Sequence, residues 1–245
     1  MSSTQATVSN ILTYSIVDGP GNRLVIFLQG CNFDCVCCHN PDTIGQDNPM
    51  ARQYSVAEVL ELLREHLPFL NGVTVSGGEP TKQLKFVIEL FRAIKADQEL
   101  AGLSCFIDSN GYLGASGWES VLPVTDGVML DIKSFDSATH EELTTRDNLK
   151  SLESARILHA AGKLYELRVL LVPGKTDNDA ELDGLIEFVK TLGLDTRIKL
   201  NAFQHHGVRD EALKWEKMSE AGVDRAADRL RAAGIDNVIK PVLYI

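Results

Sequence analysis

The segment RLVIFLQGCNFDCVCCHN, residues 23–40, joins an apolar strand directly to a cysteine-rich loop. Its first seven residues are rich in Val, Ile, Leu and Phe, as is typical of a buried strand. Cys31, Cys35 and Cys38 follow with the spacing CxxxCxxC. Three thiolates in one tight loop can bind three irons of a 4Fe–4S cluster, which leaves the fourth iron without a protein ligand. The spacing therefore predicts a cluster that binds a substrate at its open iron.

Other interpretations of these cysteines are weaker. The chain has five cysteines, an odd number, and nothing in it suggests export, so a disulfide framework is not expected. A zinc site could use Cys35, Cys38 and His39, but no second CxxC or HxxxH completes a tetrahedral set. Cys37 stays open as an alternative ligand, although adjacent cysteines are sterically awkward on one cluster. A non-catalytic metal-binding or redox-sensing protein would need only the four cysteines of the loop.

Length and composition indicate one folded unit. With 245 residues, 44% of them hydrophobic, the chain can bury one sizeable core, and we expect a single domain over residues 1–245. The formal net charge of −10 argues against nucleic acid as the main partner, because phosphate binding needs clustered Lys and Arg. The sequence has no apolar run long enough for a membrane span and no apolar segment in its first ten residues. We therefore expect a cytoplasmic protein with no signal peptide and no membrane contact.

Apolar strands alternate with amphipathic helices along the chain. The predicted strands cover residues 23–29, 72–75, 103–107, 128–132, 167–172, 197–203 and a final segment near 238–244. The predicted helices cover residues 55–67, 84–96, 118–122, 149–161, 180–192 and 221–233. This alternation is typical of βαβ units, so the predicted fold class is α/β, with a parallel sheet curled into a full or partial barrel.

Polar residues follow the predicted strands, where such a fold carries its active site. Besides the cysteine loop, they include Ser-Gly-Gly-Glu-Pro at 76–80, Asp-Ser-Asn-Gly at 108–111, Met-Leu-Asp-Ile-Lys at 129–133 and Gln-His-His at 204–206. Asp108 and Asp131 end apolar strands, where an unpaired carboxylate would be costly to bury, although loop amides could also satisfy them. Arg168 lies within a strand and needs an anionic partner, either a ligand or a core acid.

Several motifs together resemble the radical S-adenosylmethionine (SAM) activating enzymes of glycyl radical enzymes, of which pyruvate formate-lyase activating enzyme is the best known. They are the loop at 30–40, Asp-Gly-Pro-Gly at 18–21, Ser-Gly-Gly-Glu at 76–79 and the 129–133 segment. Segments 73–79, 108–111, 167–174 and 200–203 look closest to the YjjW-type activases. The resemblance covers nearly the whole chain, and it implies a partial TIM-like (β/α)6 barrel of the radical SAM type.

This chain departs from that subgroup in three places. YjjW-type members carry an insert of eight further cysteines after the first loop, and here the insert is missing, so we expect no ferredoxin-like module and only one cluster. Cys37 stands where an aromatic or polar residue is usual. Gln204 stands where related activases have a histidine near SAM.

The resemblance implies an oxidoreductase with one 4Fe–4S cluster and SAM as its cofactors. The reduced cluster would cleave SAM to methionine and a 5′-deoxyadenosyl radical, which would take a hydrogen from a glycine of a partner glycyl radical enzyme. The implied electron donor is a flavodoxin or ferredoxin, and we expect a monomer. The alternative is a radical SAM enzyme that acts on a small molecule, similar to a deazaguanine synthase, which shares CxxxCxxC and a partial barrel.

The resemblance also assigns site residues. The cluster ligands would be Cys31, Cys35 and Cys38. The residues implied around SAM are Cys37, His39, Gly77, Gly78, Glu79, Asp131, Lys133, Arg168 and Gln204. A monovalent cation beside the SAM carboxylate would be held by Asp108, Ser109, Asp131 and the carbonyl of Met129. No catalytic side chain is expected beyond the cluster and SAM.

Overall fold

The computed structural model describes residues 4–241, which form one nine-stranded sheet with helices packed on its outer face. The strands are β1 (Gln5–Ser15), β2 (Arg23–Leu28), β3 (Arg52–Ser55), β4 (Gly72–Gly77), β5 (Ser104–Ser109), β6 (Gly127–Ile132), β7 (Leu164–Leu171), β8 (Ile198–Ala202) and β9 (Val238–Ile239). The α-helices are α1 (Val56–His66), α2 (Leu84–Ala96), α3 (Ala115–Val121), α4 (Ser137–Thr144), α5 (Leu149–Ala160), α6 (Asp179–Leu192) and α7 (Glu220–Ala232).

The strands lie in the order β3-β1-β2-β4-β5-β6-β7-β8-β9. Every pair from β2 to β9 is parallel, whereas β1 is antiparallel to both β2 and β3. All seven parallel strands overlap strands that the sequence predicts, although β9 has only two residues. Within residues 4–241 the edge strands β3 and β9 do not pair with each other, so the sheet is an open barrel. The α/β class and the partial barrel are confirmed.

Three elements were not predicted. The β1 strand is half exposed and has few apolar residues, so the N-terminal stretch reads as polar. The four-residue β3 lies between the cysteine loop and α1, in a stretch for which the sequence predicts no strand. The helix α4 covers a polar stretch of eight residues. Part of the predicted last strand, residues 242–244, lies outside the described residues. No helix among residues 4–241 is long and apolar enough to cross a membrane.

The register of the parallel strands sorts side chains onto two faces. Asp108 lies beside Met129, Asp131 beside Arg168, and Arg168 beside Lys199. Neighbours in register share a face, so these residues all point to the inside of the barrel. The intervening residues pack with the helices in the hydrophobic core, including Leu130, Leu167 and Leu200. The sheet therefore has an apolar outer face and a polar inner face.

A hairpin loop, residues 16–22, connects β1 to β2 and is held by the buried side chain of Arg23. The Arg23 guanidinium donates to the carbonyls of Pro20 at 3.0 Å and Val73 at 2.7 Å and packs on the Phe106 ring at 4.5 Å. Burial lowers the pKa of Arg23 to about 10. Gly19 has φ +124°, and a Cβ there would lie 2.8 Å from the Arg23 side chain. The Asp-Gly-Pro-Gly motif thus forms a turn fixed against the strands.

Candidate active site

A cavity of about 770 Å³ lies inside the barrel and extends to the C-terminal ends of the strands. Its volume is in the range of ligand-binding pockets in proteins. The cavity is lined by most of the residues that the sequence singles out: Cys31, Cys35, Cys37, Cys38, His39, Gly77, Gly78, Asp108, Ser109, Asp131, Lys133, Arg168 and Gln204. Two predicted site residues, Glu79 and Met129, do not line it. The structure therefore brings together the residues of the CxxxCxxC loop and of the other strand ends.

The cysteine loop is held in place from two sides. Its first residues are fixed by bonds from the Cys31 N–H to the Ile44 carbonyl at 2.9 Å and from the Gly30 N–H to the Thr43 carbonyl at 2.8 Å. Its middle is fixed by α4, because the N–H groups of residues 34 and 36 donate to the carbonyls of Thr144 and Leu143 at 3.1 and 3.0 Å. The C-terminal end of α4, a helix that was not predicted, thus holds the middle of the cysteine loop through backbone hydrogen bonds.

The thiols of this loop are buried enough to stay protonated without a metal. Burial raises the pKa of Cys31 to about 11 and raises the pKa of Cys35 well above its usual value. Lys133 opposes this, since its positive charge lowers the pKa of each cysteine in the loop. Iron binding must therefore displace protons, and the nearby ammonium favours the thiolates that remain.

The donor set fits an iron–sulfur cube. Cys31, Cys35 and Cys38 are partly exposed to the cavity, whereas Cys37 is only 5% exposed and also packs against the hydrophobic core. Within residues 4–241, no three His, Cys, Asp or Glu side chains converge on a single ion position. A cube does not require such convergence, because each thiolate binds a different iron.

The two glycines after β4 are required by close backbone packing. Gly77 has φ +119°, and a Cβ there would lie 2.2 Å from the Leu28 nitrogen. A Cβ on Gly78 would lie 2.4 Å from the Gly30 carbonyl oxygen. The missing side chains thus let the β4 end approach β2 and the cysteine loop. Both glycines also line the cavity, and their contact with SAM stays a prediction.

The Glu79 side chain is fully buried beneath the cavity wall, where its carboxylate has four donors. Its Oε1 accepts from the Thr81 N–H at 3.0 Å, the Thr81 hydroxyl at 2.6 Å and the Ser109 hydroxyl at 2.9 Å. Its Oε2 accepts from the Asn110 N–H at 2.8 Å. Burial raises the pKa of Glu79, and these bonds oppose the shift. The carboxylate therefore connects the loops after β4 and β5, and it does not reach the cavity as the sequence-based SAM contact requires.

The predicted cation ligands are only partly gathered. Asp108 and Asp131 line the cavity, and burial, together with the charges of Asp131 and Asp18, raises the pKa of Asp108. The Ser109 hydroxyl, however, donates to Glu79. The cation site stays a prediction.

Arg168 finds its anionic partners in the protein. Its Nε donates to Glu166 Oε1 at 2.9 Å and its Nη1 to Asp108 Oδ1 at 3.2 Å. Its Nη2 donates to the Val17 carbonyl at 3.1 Å and to Met129 Sδ at 2.8 Å. The guanidinium still borders the cavity. The interpretation that it pairs with core acids is the one that the structure supports.

His39 and Gln204 lie where the loop after β8 meets the cysteine loop. The His39 ring stacks on Phe203 with centroids 6.4 Å apart, and burial lowers its pKa. Gln204 Nε2 donates to the Met218 carbonyl at 3.1 Å. Gly207 approaches so closely that a Cβ there would lie 2.1 Å from the His39 carbonyl oxygen. The amide of Gln204 is therefore tied to the backbone at the edge of the cavity.

Three residues of the inner wall were missed at the sequence level: Glu166, Arg197 and Lys199. Glu166 is 3% exposed and accepts from Arg197 Nε at 3.0 Å through Oε2. Lys199 Nζ donates to the Val17 carbonyl at 3.2 Å. Side chains two residues apart on a strand share a face. Alternation could therefore have placed Glu166 on the same face as Arg168, and Arg197 on the same face as Lys199.

Comparison with known proteins agrees with this site. The Radical SAM superfamily model matches residues 25–189. The pyruvate formate-lyase-activating enzyme of Streptococcus mutans is 36% identical over 219 residues, which cover 86% of this chain and 81% of the relative. A protein of Haemophilus influenzae named as a glycyl-radical enzyme activating enzyme is 31% identical over 223 residues. The matched region covers 82% of this chain and 83% of the relative. The crystal structure of QueE from Escherichia coli has a TM-score of 0.63 at 14% identity, with 98% of this chain and 95% of that one covered, which shows a shared fold.

The chain therefore belongs to the radical SAM superfamily and, within it, to the glycyl-radical-enzyme activating enzymes. The cofactors of this family are a 4Fe–4S cluster and SAM, and the cysteine loop fits them. Assignment to the YjjW-type subgroup stays a prediction.

Proposed function

We propose that this chain is an activase, an oxidoreductase that cleaves SAM reductively and removes one hydrogen atom from a glycine Cα of a partner glycyl radical enzyme. The observation that carries the proposal is that Cys31, Cys35 and Cys38 open into one cavity with the polar strand ends. The names of the relatives support the choice of a glycyl radical enzyme as the partner.

Each part of the cavity has a role in this proposal. Cys31, Cys35 and Cys38 would hold three irons, and the space beyond them would take SAM. When bound, the cluster and SAM supply the reductive cleavage and the hydrogen abstraction. Lys133 favours the thiolate forms, and Asp131 holds its ammonium at 2.6 Å.

The carboxylates of Asp108 and Asp131 would hold a monovalent cation next to SAM. Asp108 accepts from the Ser76 hydroxyl at 3.0 Å and from Arg168; burial and the negative charges of Asp131 and Asp18 raise its pKa, and these two contacts oppose the rise. Carboxylates that repel each other in a buried site are stabilised by an added cation. Gly77, Gly78 and Gln204 would border SAM, and Glu79 would fix the loops that carry these contacts.

The proposal extends to the proteins that act with this chain. Only Cys105 lies outside the cysteine loop, and it is buried, so the chain has no cysteine set for a second cluster. An external one-electron donor, a flavodoxin or a ferredoxin, would therefore reduce the single cluster directly. We propose a cytoplasmic monomer that works as one radical SAM domain.

The test uses the full chain, reconstituted anaerobically with iron and sulfide and supplied with SAM and dithionite. Methionine and 5′-deoxyadenosine should form slowly. Addition of the cognate glycyl radical enzyme should produce a doublet EPR signal on that enzyme, split by the remaining glycine α-hydrogen. The Cys35→Ala variant should give neither result. SAM cleavage without a glycyl signal on any candidate glycyl radical enzyme would contradict the proposal.

A further inference from the structure

A patch of exposed apolar side chains lies at the end of the barrel where the hairpin loop connects β1 to β2. It consists of Tyr14, Ile16, Val17 and Phe69, which are 48%, 80%, 62% and 64% exposed, and we call it the hairpin patch. Phe69 comes from the turn between α1 and β4, and its ring meets Tyr14 edge-on with centroids 6.0 Å apart. The Tyr14 hydroxyl bonds with His66 Nδ1 at 3.0 Å. Single exposed apolar residues are normal, whereas a contiguous group is typical of an interaction site.

The hairpin patch is exposed although its backbone is fixed. The Val17 carbonyl accepts hydrogen bonds from Arg168 Nη2 at 3.1 Å and Lys199 Nζ at 3.2 Å, so the hairpin loop is tied to the inner wall of the barrel. Asn22 Nδ2 donates to the Phe69 carbonyl at 2.7 Å, which ties the loop to the turn after α1. A surface that is already held in place loses little conformational freedom when a partner covers it.

The hairpin patch borders the opening of the cavity. Ile16 and Val17 line the cavity and are also largely exposed, so the cavity reaches the protein surface at these two residues. Ile239 and Lys240 line it on the other side, at the β9 edge of the open barrel. The two aromatic residues of the patch do not line the cavity, and they extend the apolar surface outward from its opening.

The substrate of this family indicates what covers the patch. Glycyl-radical-enzyme activating enzymes act on a glycine of another protein, and that glycine has to pass from the surface of the partner into the cavity. The partner surface on either side of the glycine segment therefore comes against the rim of the opening, where the hairpin patch lies. Aromatic side chains without charge, such as Tyr14 and Phe69, are also the residues that are enriched at the centres of protein interfaces.

We propose that the hairpin patch is the docking surface for the folded part of the partner glycyl radical enzyme, which places an apolar surface next to its glycine segment on Tyr14 and Phe69. The inference rests on the proposed function, because it locates the binding of the protein substrate. The contact holds the partner at the opening, and the glycine segment then reaches the cavity past Ile16 and Val17.

The test uses the reconstituted full chain with SAM, a reductant and the cognate glycyl radical enzyme. Tyr14→Ser and Phe69→Ser are made singly and together, since neither side chain lines the cavity. Each single variant should raise the KM for the partner, and the Kd from anisotropy of the labelled partner, by about tenfold, the cost of truncating one aromatic residue at an interface centre. The kcat from the doublet EPR signal should not change. The increase should persist in about 0.5 M salt, because salt screens charges and not apolar contacts.

A short capped peptide with a central glycine serves as the control substrate, because it enters the cavity but is too short to reach Phe69 from there. Deuterium transfer from the peptide glycine to 5′-deoxyadenosine, and SAM cleavage without any substrate, should be the same in the double variant and the unaltered chain. A structural defect would lower both. The matched control variant is Leu149→Ser, which removes a 68% exposed side chain at the start of α5 and should leave the KM for the partner unchanged.

An unchanged KM for the partner in the double variant would overturn the docking surface, and so would an equal increase in Leu149→Ser. Sedimentation velocity tests the other occupant, a second copy of this chain: a dimer that the double variant loses would also overturn the proposal. Failure of the proposed function looks different, because the unaltered chain would then cleave SAM without producing a glycyl radical on the partner or removing deuterium from the peptide. The anisotropy measurement would still report whether the patch binds the partner.

Discussion

The carboxylate of Glu79 accepts a hydrogen bond from the backbone N–H of Asn110 at 2.8 Å and thereby joins the loops that follow two neighbouring strands, β4 and β5. The same carboxylate binds Thr81 and Ser109. Asn110 in turn donates to the Asn32 side chain at 2.8 Å, in the cysteine loop. One buried acid therefore connects three loops around the cavity. Its two acceptor oxygens and its charge are both needed to satisfy the surrounding donors.

Glu79→Gln should lower the free energy of unfolding by about 1–3 kcal/mol, because the amide NH₂ would face hydrogen-bond donors and leave buried groups unsatisfied. Thermal unfolding followed by circular dichroism measures this change. The control Glu187→Gln removes an exposed carboxylate on α6 and should leave the midpoint where it is. An unchanged midpoint for Glu79→Gln would mean that the buried network is not what fixes these loops.

The cluster should have three cysteine ligands and about four irons per chain, the content of one cube. Cys31→Ala, Cys35→Ala and Cys38→Ala should each abolish SAM cleavage, whereas Cys37→Ala should keep its iron because that thiol is 5% exposed and packs in the core. Iron analysis and EPR after reconstitution measure both effects. Loss of iron in Cys37→Ala with retention in Cys38→Ala would reverse the assignment.

Cluster assembly should improve with rising pH. Burial raises the pKa of Cys31 to about 11, so this thiol is protonated throughout the neutral range and the proton competes with iron. Iron content after a fixed reconstitution time should therefore be higher at about pH 8.5 than at about pH 6.5, since ligand deprotonation accompanies metal binding. Equal iron content across this range would show that the thiols do not limit assembly.

The Asp131–Lys133 pair should matter for SAM more than for the cluster. Asp131→Asn removes the carboxylate that holds the Lys133 ammonium at 2.6 Å, and it should weaken SAM binding by about tenfold, the effect of one charge-assisted contact. Iron content should not change. The SAM-induced change in the EPR spectrum of the reduced cluster reports binding, with Asp228→Asn on the surface of α7 as the control. An unaltered titration would remove Asp131 from the SAM site.

Most of the fold could be predicted, because strands such as β2 and β6 are buried on both faces and read as continuous apolar runs. The β1 strand could not, since it lies next to the sheet edge and its second half is exposed, including Leu12 and Tyr14. The α4 helix has three buried residues out of eight, so its apolar periodicity is too weak to detect. Its backbone hydrogen bonds to the cysteine loop are long-range contacts, which sequence spacing does not show.

The site was predictable where chemistry lies in a local motif and not where it depends on contacts between strands. The cysteine loop is contiguous, so its spacing predicts an iron–sulfur site there, with Cys37 left open as an alternative ligand. Glu79 belongs to a recognisable motif, yet its burial depends on Thr81, Ser109 and Asn110 from two loops. The partner of Arg168 is Glu166, two residues away on the same face of β7; alternation could have placed both inside the barrel, but their pairing depends on a contact that alternation does not show.

The central claim is hydrogen abstraction from a glycine, and isotope transfer tests it most directly. The reconstituted protein is incubated anaerobically with SAM, a reductant and the cognate glycyl radical enzyme labelled with α-deuterated glycine. The 5′-deoxyadenosine that forms should carry one deuterium per glycyl radical detected by EPR. Unlabelled 5′-deoxyadenosine together with deuterium retained on the glycine, while a small molecule loses its own hydrogen, would contradict the account.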